Sequence, residues 1–527
     1  MLSSEFEAMA FEWNAAAGRS AETAPDTTVT PITALASRAG RLRRFDVAGL
    51  TSPVDEGVTW QADGMTATSS GGSGSVDVVD VIVLGMGPGG EDVAERLAVA
   101  GLEVVGIDGK LVGGECPYWG CVPSKMMIRA ADLLVEGRRI PGMAGSSTIE
   151  ADWAPVAGRI RNEATDHWDD TVAVERFERK GGRFVRGWGR LDGPRRVVVG
   201  DRTFEARRGV VVNTGTKAFV PPVDGLAGTP YWTNRDAIET EEVPGRLLVM
   251  GGGAIGVELG QVFSRFGASV TVIEGTERLL PPEEPEAGEL LAEIFRREGI
   301  AVHTSAKVTA VRHRHGAFEV ALDSGDRLAG DRLLVATGRH VDLAAIGAGS
   351  IGIDESERAL PTDDHLRVGD GVWAIGDITG RGAFTHVSMY QADIVVRQIL
   401  GEPVTPADYR ALPRVTFTDP EVGSVGLGEA AARRAGLRVR TGTGQAPTST
   451  RGWIHKVGNH GFIKLVEDAG RGVLVGATSV GPMGGEVLGL LTLAVHAEVP
   501  TESLRHMIYA YPTFHRGMLD ALADMTE

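Results

Sequence analysis

Cysteine is almost absent from this chain. Only Cys116 and Cys121 occur among its 527 residues, too few for the disulfide framework of a small secreted domain and half of what a four-thiolate zinc site needs, so no metal site is expected. Long apolar runs are missing as well: 43% of the residues are hydrophobic, yet no stretch approaches the ~18 residues that would indicate a membrane span. Positive charge is also in short supply. A formal net charge of −17 argues against nucleic acid or an anionic membrane surface as the main partner, because phosphate binding needs clustered Lys and Arg. These absences leave a soluble, cytoplasmic globular protein as the expectation.

Glycine, by contrast, is plentiful at 72 residues without a collagen period, which suits tight βα turns and close backbone approach to a ligand. Residues 1–75 are rich in Ser, Thr, Gly and Ala, with little sustained periodicity and no signal-peptide core. They read as a disordered tail or linker, or as an extension ahead of a natural start at Met65.

Beyond that segment, Val79 to Asp108 reads as a strand, a turn with Gly85, Gly87 and Gly90 in G-x-G-x-x-G spacing, an amphipathic helix, and a second strand closed by Asp108. The first glycine makes the turn, the second lets the backbone approach a pyrophosphate, the third lets helix pack on strand, and the acid accepts from ribose hydroxyls. The unit recurs with Gly251, Gly253 and Gly256, and Glu274 closes its second strand. Two such units predict two dinucleotides. Glu274 would repel a 2′-phosphate and no Arg follows it immediately, so NADH is favoured; Arg278 nearby keeps NADPH possible.

Both cysteines lie in "GGECPYWGCVPSK", Gly113 to Lys125, shortly after Asp108. At the start of a helix, a thiol is biased toward thiolate. Further along, apolar strands end in "NTGT" with Thr214 and Gly215, "ATGR" with Gly338, and "AIGD" with Gly376 and Asp377.

With these motifs in this order, the chain from about Asp77 to Leu522 resembles the FAD-dependent pyridine nucleotide disulfide oxidoreductases, the family of dihydrolipoamide dehydrogenase, glutathione reductase and mercuric reductase. The resemblance implies an α/β fold of two Rossmann-like domains, for FAD and NAD(P), plus a C-terminal α+β dimerisation domain. The expected boundaries are 76–225 and 335–402 for the FAD domain, 226–334 for the NAD(P) domain and 403–527 for the dimerisation domain of a homodimer. It further implies that Asp377 meets the ribityl chain and that Lys125 pairs with Glu258 near flavin N5, where a fixed cation suits an anionic reduced flavin. Electrons would pass from nicotinamide through flavin to Cys121, the inner thiol, and then to Cys116, which meets the substrate.

The chain departs from the family at its C-terminal "H-P-T-x-x-E". Tyr511 precedes Pro512 where His is expected, and Arg516 replaces Glu. Tyrosine is a poor base but a fair hydrogen-bond donor. His515, four residues after Tyr511, would share a helical face with it and is a candidate replacement acid or base, or simply surface filler. Mercuric reductases also carry Tyr there, but with an extra C-terminal cysteine pair that is missing here. Between the thiols, Tyr118 and Trp119 either stack on a flat substrate or pack the helix start.

The expected activity is therefore FAD-dependent NAD(P)H oxidation, passing electrons through Cys116 and Cys121 to a small disulfide or other small-molecule acceptor. Direct reduction of quinones or similar electrophiles at the flavin is the alternative enzyme. A redox-sensing flavoprotein with little turnover is the alternative of another class.

Overall fold

The computed structural model of the chain describes residues 76–526; the expectation of a disordered or extraneous segment over residues 1–75 lies outside the described residues. The strand Val76–Leu84 forms because it is a nearly continuous apolar run, as a strand covered on both faces requires. Val81 and Val83 enter one core cluster and Ile82 and Leu84 another on the opposite face, with none of the four more than 3% exposed.

Val76–Leu84 pairs in parallel with Val104–Asp108 on one side and Arg202–Val212 on the other. The sheet continues through Arg183–Arg186 at one edge and Val372–Ala374 and Arg367–Gly369 at the other, and the hairpin Gly189–Leu191/Arg196–Val199 completes eight strands. Val372–Ala374 comes from far along the chain, so two separated sequence blocks build one sheet. A second sheet of four parallel strands runs in the order Ala301–His303, Ser269–Ile273, Arg246–Met250, Arg332–Val335. A three-stranded antiparallel sheet, Val308–Arg314, Ala317–Leu322 and Arg327–Gly330, is inserted in the chain ahead of the last of these strands. The C-terminal region is a five-stranded antiparallel sheet ordered Pro413–Thr416, Glu421–Gly426, Val473–Gly481, Phe462–Asp468, Val439–Gln445. Helices Gly484–His496 and Gly517–Ala523 pack their apolar faces on it. No helix among the described residues is long and apolar enough to cross a membrane.

Two helices carry the functional argument. Cys121–Arg139, the thiol helix, begins at the second cysteine. Ala254–Arg265, the second-site helix, begins just after Gly253. Lys125 and Asp132 on the first meet Glu258 and Arg265 on the second, at 2.8 and 2.7 Å. The seven-residue step on both sides puts each pair on one face.

Candidate active site

The two glycine turns are built alike. A Cβ on Gly85 (φ +97°) would lie 2.4 Å from Asn213 O, and one on Gly251 (φ +112°) would lie 2.3 Å from Ala336 O. Both turns thus require glycine for conformation and for space. The helices that follow, Pro88–Val99 and Ala254–Arg265, have glycine N-caps with no side-chain hydrogen bond, leaving their first N–H groups for an anionic ligand. Asp108 accepts from Met86 N at 2.8 Å and Lys110 N at 2.7 Å; Glu274 accepts from Gly252 N at 2.6 Å and Thr276 N at 2.7 Å. Each acid therefore has both oxygens anchored to backbone with lone pairs left for ribose hydroxyls. Burial pushes the Asp108 carboxyl up, against the pull of those two N–H donors.

Arg278 turns away, donating from Nη2 to Pro281 O at 3.0 Å. Glu274→Ala is accordingly expected to raise the KM for NADH about tenfold and to narrow the gap between NADH and NADPH, read from steady-state rates with each cofactor.

Around Asp377 the sequence missed two partners. Thr216 donates to its Oδ2 at 2.8 Å, and Arg339 Nε donates to Thr216 Oγ1 at 2.6 Å. Burial pushes the Asp377 carboxyl up, opposed by Thr216 and Arg339. Arg339 is the last residue of "ATGR", so a signal for it was present. Gly215 and Gly338, both at positive φ, have open space where a side chain would stand, while Thr214 is exposed beside them. Gly376 donates its N–H to the buried Gln391 side chain at 2.6 Å.

The thiols occupy two helix starts. Cys116 lies in the short helix Glu115–Trp119 and is half-buried; Cys121 opens the thiol helix and is exposed. Cys121 Sγ lies 3.5 Å from Thr385 Oγ1. The neighbouring Cys116 thiol, with help from Thr385 and the Lys125 ammonium, holds Cys121 down to about 6. Cys116 is pushed well above the ordinary thiol range by the neighbouring Cys121 and by its partial burial. Lys125 is fixed by Glu258, whose other oxygen accepts from Phe417 N at 2.8 Å, and its ammonium lies 4.7 Å from the Phe417 ring centroid.

Glu115 and Trp119 tie the thiol segment to the helix Asn234–Glu239. Arg235 Nε donates to Glu115 at 2.8 Å, Trp119 Nε1 donates to Glu239 at 2.5 Å, and the Arg235 guanidinium lies 4.1 Å from the Trp119 ring centroid. Tyr118 and Trp119 are 4% and 8% exposed. They pack the helix start, which resolves the open choice against substrate stacking.

The C-terminal expectation needs correction. Tyr511 and His515 do not share a helical face: the last helix begins only at Gly517, and Pro512 interrupts the segment before it. His515 faces Thr513 Oγ1 at 3.3 Å. Tyr511 is 65% exposed, donates to Thr450 Oγ1 at 3.2 Å, and lies under the Arg516 guanidinium. Within the chain, among the described residues, neither side chain shares a hydrogen bond or ring contact with the thiol pair.

Comparison with known proteins agrees with this architecture. The pyridine nucleotide-disulphide oxidoreductase family model matches residues 79–392, and the dimerisation domain model of the same family matches residues 412–522. The chain belongs to this family. The family is FAD-dependent, with NAD(P)H as electron donor, and the two glycine turns with their anchored acids and uncapped helices fit two dinucleotides. A dihydrolipoyl dehydrogenase of Thermus scotoductus is 31% identical over 459 residues, covering 84% of this chain and 96% of that one. A mercuric reductase of Acidithiobacillus ferrooxidans is 31% identical over 475 residues, covering 88% and 84%. Among solved structures, the Cu(II) complex of a mutant of the HOCl-induced flavoprotein disulfide reductase RclA from Escherichia coli superposes with a TM-score of 0.75 at 25% identity, covering 85% of this chain and 99% of that one.

Proposed function

We propose that this family member takes hydride from NAD(P)H and delivers an electron pair through Cys121 and Cys116 to a small disulfide or another small acceptor, acting as a cytoplasmic homodimer. The observation that carries the reading is the thiol arrangement: Cys116 and Cys121 stand at two successive helix starts, Cys121 faces Thr385 at 3.5 Å, and the Lys125 cation anchored by Glu258 follows on the same helix, a setting that lowers Cys121. FAD, which Gly85, Gly87, Gly90 and Asp108 would hold, would supply a hydride acceptor and an electron-pair donor to sulfur. Toward a disulfide acceptor, Cys116 attacks one substrate sulfur, breaking its S–S bond and releasing one thiolate. Cys121 thiolate then attacks Cys116, releases the second thiol and closes the Cys116–Cys121 disulfide.

The first of these attacks needs the Cys116 proton removed, and Cys116 holds that proton firmly. A base would serve this step, yet Tyr511 and Arg516 occupy the family's His and Glu positions. That observation favours, as a second reading, acceptors reduced directly at the flavin, such as quinones. The homodimer reading draws on the dimerisation domain match over residues 412–522 and on exposed apolar side chains within it, Trp453 and Ile508 at 74% and 95%.

The test is an anaerobic NADH titration followed by an acceptor panel of glutathione disulfide, lipoamide, small-thiol disulfides, quinones, Cu(II) and Hg(II). Long-wavelength thiolate-to-flavin absorption supports the Cys121 assignment, and fully bleached flavin without it counts against it. NADH oxidation near background with every acceptor would favour the redox sensor instead. A companion measurement is the pH dependence of Cys121 alkylation in the reduced protein. The rate should rise with pH, level off above about 6, where the thiolate dominates, and shift to higher pH in Lys125→Met.

A further inference from the structure

The two dinucleotide units match in glycines and acids, and differ just past the acid. A Cβ on Gly109 would lie 2.4, 2.7 and 2.8 Å from Cδ2, Cε2 and Cε3 of Trp188. Three ring atoms at such similar distances mean that the face of the indole, not its edge, rests on the Gly109 backbone. After Glu274, the corresponding Gly275 has nothing within 4 Å of the same point.

Trp188 is held there by its neighbours in sequence. Gly187 N donates to Asp108 O at 2.9 Å, and a Cβ on Gly189 would meet the core side chains of Leu84, Ile107 and Val197. The indole itself is 70% exposed. Tryptophan is highly buried on average, so a ring with one face on backbone and so much surface open, directly beside a ribose-binding carboxylate, is placed to meet a ligand. A dinucleotide with its pyrophosphate at the N-terminus of Pro88–Val99 and its ribose hydroxyls on Asp108 carries its adenine toward Gly109.

We propose that Trp188 is the stacking platform for the adenine of FAD. The proposal rests on the first site holding FAD. Stacking of a base on an aromatic side chain changes Kd by about five- to 150-fold.

The full-length protein, stripped of flavin with chaotropic salt, is titrated with FAD and with FMN, which carries the same flavin without the adenylate. Trp188→Ala is expected to weaken FAD at least about tenfold and to leave FMN affinity unchanged, and Trp188→Phe to recover most of the FAD affinity. Equal FAD affinity in wild type and Trp188→Ala would overturn the proposal. So would a parallel loss of FAD and FMN, because the ring would then support the sheet edge rather than the adenine. Failure of the wild-type chain to bind FAD would instead remove the assignment on which the proposal rests.

Discussion

Replacing both Cys116 and Cys121 with serine is expected to lower NAD(P)H-dependent disulfide turnover about a thousandfold or more, with FAD still bound. The chain has no third cysteine to substitute for either thiol, and a serine hydroxyl cannot form or break an S–S bond. Parallel assays with a quinone decide between the two readings of the activity. Quinone turnover within about threefold of wild type assigns that reduction to the flavin, whereas a loss as deep as that with disulfides assigns it to the thiols. The single variants divide the roles. Cys121→Ser leaves Cys116 without a resolving thiolate, so a disulfide substrate should remain attached as a mixed disulfide, visible as added mass. Cys116→Ala removes the neighbouring thiol that is the largest cause of the lowered Cys121, so the alkylation midpoint should climb from about 6 toward the ~8.5 of a free thiol.

What the sequence reveals about this site follows the range of the interactions involved. Gly85, Gly90, Asp108 and their counterparts Gly251, Gly256 and Glu274 are legible because a turn, a helix start and a strand end within thirty residues define their tasks. Lys125 and Glu258 came from family resemblance, and the structure brings them to 2.8 Å. Thr385 lies 264 residues beyond Cys121 and Phe417 lies 159 beyond Glu258; no local pattern ties either to the site, and tertiary packing brings the first to Cys121 and the second to Glu258 and Lys125. The shared helical face expected of Tyr511 and His515 is absent for a definite cause. An i, i+4 spacing places residues on one face only inside a helix, and Pro512 with the late start of the last helix removes that condition. Nothing in the sequence marks the left-handed run Asp166, His167, Trp168 either, where three non-glycine residues in succession adopt positive φ.

Arg265→Met is expected to destabilise the folded protein by about 3–5 kcal/mol, the cost of removing one partner from a buried ion cluster. Arg265 is only 4% exposed at its side chain, and it joins Asp132 of the thiol helix at 2.7 Å, Glu298 at 2.9 Å and Asp419 of the C-terminal region at 2.8 Å. Its own carbonyl accepts from Arg138 at 3.0 Å. Removing the guanidinium leaves three carboxylates facing one another, with Arg139, at 2.6 Å from Asp419, and Arg129, acting on Asp132, to offset them. In a chain of this size the loss should appear in calorimetry as a melting point lower by roughly 5 °C at saturating FAD. Asp132→Asn should behave differently. Burial raises the Asp132 carboxyl to about 6 even with Arg265 beside it, so its contribution to stability is complete below the unfolded value of ~3.9 and is lost as pH rises through about 6. The variant should therefore compare poorly with wild type at pH 4 and well at pH 8. Because Arg265 and Asp419 share one cluster, Arg265→Met and Asp419→Asn combined should cost less than the sum of the two singles. Simple additivity would mean that the thiol helix, the second-site helix and the C-terminal region are held together elsewhere.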